Sequence, residues 1–73
     1  MTEDEKKFIE RIPAKLKELR ERAGVTQAAA AKAAGVSRTI IASWETGVYI
    51  PQVKSLFKLS EIYKCDISEF FQR

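Results

Sequence analysis

At 73 residues the chain has room for one small domain and no second one. A hydrophobic content of 45% excludes disorder, and a lone cysteine with no histidine excludes an internal disulfide, a cysteine metal cluster and the commonest general base. The net charge of +3, from 13 basic and 10 acidic side chains, suits a polyanionic partner, and no cofactor, metal or enzymatic centre is expected.

Residues 1–11, MTEDEKKFIER, hold four acids against three bases, a net of −1, so the remainder carries +4 of the total +3. This charged start is no signal peptide, and no apolar stretch approaches the ~20 residues of a membrane span, so a cytoplasmic protein without a membrane segment is expected. Thr2 ahead of acidic residues reads as a helix start. The arm is either a short helix or a fraying end, with Phe8 and Ile9 docking on the core of their own subunit or, as the alternative, on a partner subunit. Pro13 fits the first turn of the next helix, where its missing N–H costs nothing. Ile12, Leu16 and Leu19 recur there at helical spacing, and Gly24 ends the run.

Thr26 then caps an alanine-rich helix over Gln27–Ala34 that Gly35 breaks, and Ser37 caps a second over Arg38–Glu45 that Gly47 closes. The loop Val48-Tyr49-Ile50-Pro51 is apolar, and Pro51 pre-sets a helix over Gln52–Lys64. Val53, Leu56, Phe57, Leu59 and Tyr63 are expected on its inward face. Asp66 and Glu69 form a capping pair for a last short helix. Of Ile67, Phe70 and Phe71, one is expected to seal the core and the others to offer a subunit contact. No strand pattern and no internal repeat is present.

The spacing within Thr26–Gly47 says more than its composition. Counting Gln27 as first, Ala31 is fifth, Gly35 ninth, Ile41 fifteenth and Trp44 eighteenth. A helix-turn-helix needs a small residue where its helices cross, a glycine in the turn, and apolar residues one turn apart facing inward. These positions meet all three demands. A helical hairpin that only packs fits the spacing equally well.

The flanking segments tip the balance. With LKELRERAGVTQ, AGVSRTIIASWETG, the following proline and LFKLSEIYKCDISEFF in that order, the chain resembles the lambda-repressor-like (Cro/repressor, XRE-type) helix-turn-helix domains over residues 12–71. The resemblance implies a compact all-α, five-helix domain over residues 12–73, preceded by the arm at 1–11. Its second and third helices form the DNA-reading unit, and two-fold dimers bind double-stranded DNA. It places Arg38, Thr39 and Ser43 where the family reads bases, with Ala42 beside a thymine methyl and Ser37 opening the recognition helix. Gln27 matches a phosphate-contacting position. Trp44 matches a buried position, and Arg20 with Glu45 a salt bridge between the first and third helices.

Two departures stand out. Ala30 and Ala34 replace common leucines, so either the second helix packs closer or Trp44, Phe57 and Tyr63 fill the space. Val48 and Ile50 stand where relatives place lysine or arginine, leaving Tyr49 and backbone N–H groups to meet phosphate. The expected function is a sequence-specific transcriptional regulator, of the phage-repressor, restriction-controller or antitoxin kind. The alternative is a helical module that has kept the fold, lost DNA binding and docks a protein partner at its apolar loop.

Overall fold

The computed structural model describes residues 2–72, apart from the side chain of Phe8. Four α-helices follow one another, α1 (Glu3–Arg22), α2 (Gln27–Ala34), α3 (Arg38–Thr46) and α4 (Val53–Ile62), and a 3₁₀ turn at Ile67–Phe71 closes the chain. The described residues contain no strand. The expected all-α architecture is present, with the fifth helix reduced to a single 3₁₀ segment. Its capping is one-sided. Asp66 caps the Ser68 N–H at 2.9 Å, but Glu69 turns to Arg22 at 3.6 Å and does not complete a reciprocal box.

Helix α1 begins earlier than Pro13. The Thr2 hydroxyl accepts from the Glu5 N–H at 3.1 Å, and Glu3, Asp4 and Glu5 place negative charge at the positive end of the dipole. Pro13 therefore lies inside one continuous helix, not in the first turn of a second one. Half-buried Ile9 and buried Ile12 extend the face that Leu16 and Leu19 bury, so packing carries the helix across the proline. The expected docking of Phe8 lies outside the described residues.

Pro13 has a partner of its own. Gly47, with φ 84°, ends α3 so close to the ring that an added Cβ would sit 3.3 Å from the Pro13 Cγ. Gly47→Ala is expected to cost about 1–2 kcal/mol, since a left-handed conformation and a crowded contact both oppose the methyl. Urea denaturation reads it directly; an unchanged midpoint would show that the turn relaxes freely.

The core gathers one stripe from each element: Leu16 and Leu19 from α1, Ala30 and Ala31 from α2, Ile41 and Trp44 from α3, Leu56 and Leu59 from α4. Phe70 seals it completely, while Ile67 and Phe71 are half-buried against it. The inward stripe of α4 is Leu56, Leu59, Ser60 and Tyr63. Val53 and Phe57 do not join it; they are 72% and 55% exposed. At about 100° per residue, Phe57 stands a quarter-turn beyond Leu56, and Val53 lies one turn before it on that same flank. Trp44 and Tyr63 lie in one buried cluster with Ala30 and Ala31, and Ala34 packs against it, whereas Phe57 stays outside.

Tyr63 is buried, and its hydroxyl has no hydrogen-bond partner among the described residues. Burial, reinforced by the negative charge of Glu45, pushes its phenol from an ordinary 10.0 up to about 12. The unfolded chain therefore ionises first, so this contribution to stability is present below pH 10 and lost between pH 10 and about 12. Tyr63→Phe is expected to leave stability at pH 7 unchanged or raised, because an unpaired buried hydroxyl is removed. It should also flatten that alkaline loss relative to wild type in parallel denaturation series. A loss above ~1 kcal/mol at neutral pH would reveal a partner for the hydroxyl.

Candidate nucleic-acid interface

Local chemistry fixes the two-helix unit first. Thr26 caps α2 by accepting from the Ala29 N–H at 3.0 Å, and Ser37 caps α3 by accepting from the Ile40 N–H at 3.2 Å. Between them Gly35 adopts φ 74°, the left-handed geometry that turns the chain from one helix into the next.

Packing then decides which side of α3 faces out. Ile41 and Trp44 point into the core, and the Glu45 side chain is only 4% exposed. Thr39, Ala42, Ser43 and Thr46 occupy the opposite face, and Arg38 stands exposed at its start. Arg38 and Thr39 have no hydrogen-bond or ionic partner among the described residues. Ala42 and Ser43 are half-buried. Thr46 was not among the residues singled out in the sequence. Its position four residues after Ala42 and three after Ser43 is the signal that would have placed it on this face.

A buried ionic clamp sets the angle of α3 on the body. Arg20 of α1 grips Glu45 with both prongs, Nε to Oε2 at 2.6 Å and Nη2 to Oε1 at 3.0 Å. Its Nη1 donates to the Val25 carbonyl at 2.8 Å, so the guanidinium also ties the α1–α2 loop. Hydrogen bonding to Glu45 raises the Arg20 guanidinium further above its already high ordinary value, so it stays charged at every accessible pH.

Gln27 joins the same carboxylate. Its Nε2 donates to Glu45 Oε1 at 3.2 Å, leaving one amide N–H and the amide oxygen for another partner. This bond is not legible in the sequence, because the two residues lie 18 positions apart. Tyr49, beyond the end of α3, is 64% exposed. The backbone N–H groups of Val48 and Tyr49 both donate to the Ser43 carbonyl, at 3.0 and 3.3 Å. Those two groups, expected to meet phosphate, instead cap α3. That leaves the Tyr49 side chain as the polar handle of an otherwise apolar loop.

The candidate residues therefore fall into three places. Arg38, Thr39, Ala42 and Ser43 share the outward side of α3, Ser37 sits at its cap, and Gln27 and Tyr49 flank it from neighbouring segments. Among the described residues no three histidine, cysteine, aspartate or glutamate side chains converge to hold a metal ion. No described helix is long and apolar enough to cross a membrane. Cys65 is half-buried, and burial pushes its thiol up, away from thiolate character.

Comparison with known proteins agrees with this geometry. A family model described as helix-turn-helix matches residues 16–70, from Leu16 in α1 to Phe70 in the closing turn. No curated protein and no solved structure matches the chain significantly. The matched span holds the α2–α3 unit, the Arg20–Glu45 clamp and the outward face of α3 together, and on that ground the chain belongs to the XRE/lambda-repressor-like helix-turn-helix family of DNA-binding regulator domains.

Proposed function

We propose that this protein is a sequence-specific regulator of transcription, of the repressor or controller type, that binds double-stranded DNA as a homodimer in the cytoplasm. Residues 12–73 are the binding unit, preceded by the arm at 1–11, which from Glu3 onward is the first part of α1. One observation carries the reading: the exposed, unpartnered Arg38 and Thr39 stand on the outward side of a helix that a buried salt bridge holds rigidly. Two copies would set their α3 helices in successive major grooves, about 34 Å apart, on a palindromic operator. Arg38 donates to guanine O6 and N7, Thr39 and Ala42 meet a thymine methyl, and Ser43 meets a base edge. Ser37 and the remaining Gln27 N–H contact phosphate, joined by the Tyr49 hydroxyl.

Arg38→Ala is expected to weaken binding to a selected operator by about 10–100-fold, equivalent to ~1–3 kcal/mol for a bidentate base contact. Its thermal midpoint should not move, because the side chain is exposed and makes no hydrogen bond or ion pair among the described residues. An operator titration alongside a melting curve checks both halves. Equal affinity for the two proteins would remove Arg38 from the reading set.

A second reading rests on a specific feature, the exposure of Val48, Tyr49, Ile50, Val53 and Phe57. Apolar surface of this kind marks contacts with protein. A helical interaction module without DNA binding would need that surface and would make no use of Arg38. The Arg38→Ala titration separates the two.

A further inference from the structure

We infer that the reading face of α3 is polarised, with donors at its N-terminal end and a hydroxyl acceptor at Ser43, so that Ser43 selects a base presenting an exocyclic amine. The inference rests on the DNA-binding reading proposed above and deepens it by naming the base chemistry.

The hydroxyl protons carry the argument. Ser43 Oγ donates to the Ile40 carbonyl at 2.7 Å, which turns its O–H back along the helix and leaves its lone pairs facing out. A hydroxyl whose proton is engaged in this way is a stronger acceptor. Thr46, one turn on, does the same, donating to the Ala42 carbonyl at 3.0 Å and leaning toward the Ser43 carbonyl at 3.4 Å. At the opposite end the chemistry reverses. Arg38 holds donors only, and Ser37 Oγ accepts from the Ile40 N–H, which frees its own O–H to donate outward. Thr39 is uncommitted.

In the major groove the amines are adenine N6 and cytosine N4, while N7, guanine O6 and thymine O4 are acceptors. A Ser43 oxygen that only accepts matches the first pair. To donate to N7, O6 or O4 it would first have to surrender the bond to Ile40. Arg38 makes the opposite demand, so the two ends of the face cannot exchange bases. This fixes the direction in which α3 reads its half-site.

The test uses the full chain and a duplex recovered by selection from a random pool. At each half-site position single atoms are deleted from the bases, and affinity is measured for wild type, Ser43→Ala and Ser43→Thr. Purine in place of adenine removes N6, a pyrimidinone in place of cytosine removes N4, and deaza-purines remove N7. At one position, loss of the amine is expected to weaken wild type by about 5–10-fold, the worth of one hydrogen bond, and Ser43→Ala by less than about 2-fold. Ser43→Thr keeps an acceptor and should restore the sensitivity. Because Ser43 is on the outward face, its variants should melt with wild type. Coupling of Ser43 to an N7 deletion, or to no deletion at all, would overturn the inference while leaving DNA recognition intact. A pool from which no sequence is enriched would overturn both.

Discussion

Trp44→Ala is expected to remove about 3–5 kcal/mol of stability, the usual cost of truncating a buried large aromatic side chain. The indole is 8% exposed and lies in the cluster with Ile41 and the small residues Ala30 and Ala31. With alanines on α2, few long side chains can swing in to fill the cavity, so the upper half of that range applies. A chain of this length is stable by roughly 4–11 kcal/mol at ordinary per-residue values, so a loss of this size removes a large share of the total and unfolds the variant where the wild-type value lies at the lower end. Chemical denaturation gives the number. A loss below about 1 kcal/mol would mean that the ring packs against little.

Glu45→Ala should cost about as much, ~3–5 kcal/mol, for a different reason. Arg20, whose side chain is 11% exposed in the intact pair, would keep its full charge, and among the described residues the Val25 carbonyl would be left as its hydrogen-bond partner. Gln27 would lose its partner too. The paired replacement Arg20→Met with Glu45→Leu should recover most of that loss, since removing both charges together leaves no unpaired ion. DNA affinity of this double variant should still fall, because the clamp sets the angle of α3. A double-mutant cycle read by denaturation, with affinity measured on each corner, separates the two contributions. If Glu45→Ala loses less than about 1 kcal/mol, the carboxylate is not the clamp described.

How far the chain could be read in advance depends on the range over which each feature is decided. Thr2, Thr26 and Ser37 as caps and Gly35 and Gly47 as stops were legible, because a cap involves only residues three or four apart. The Arg20–Glu45 pair, 25 residues apart, came from the family resemblance and not from spacing. Pro13 misled because a local rule met a tertiary contact: its ring packs on Gly47, and Ile9 and Ile12 carry the helix through it. In α4, Val53, Leu56, Phe57 and Leu59 fit more than one helical face, and only the neighbouring helices decide which is buried. Of the candidate interface, the set on α3 was legible apart from Thr46. The hydroxyl bonds of Ser43 and the use of the Val48 and Tyr49 N–H groups as a cap were not, since they depend on side-chain and turn geometry.

Selection of bound duplexes from a random pool at near-physiological salt checks the claim that α3 reads base sequence. Enrichment of a two-fold symmetric motif is the expected result, with half-sites one helical turn apart and a guanine whose preference disappears in Arg38→Ala. Failure of the folded protein to enrich any sequence would contradict the claim and leave the exposed loop at Val48–Ile50 as the place to seek a partner.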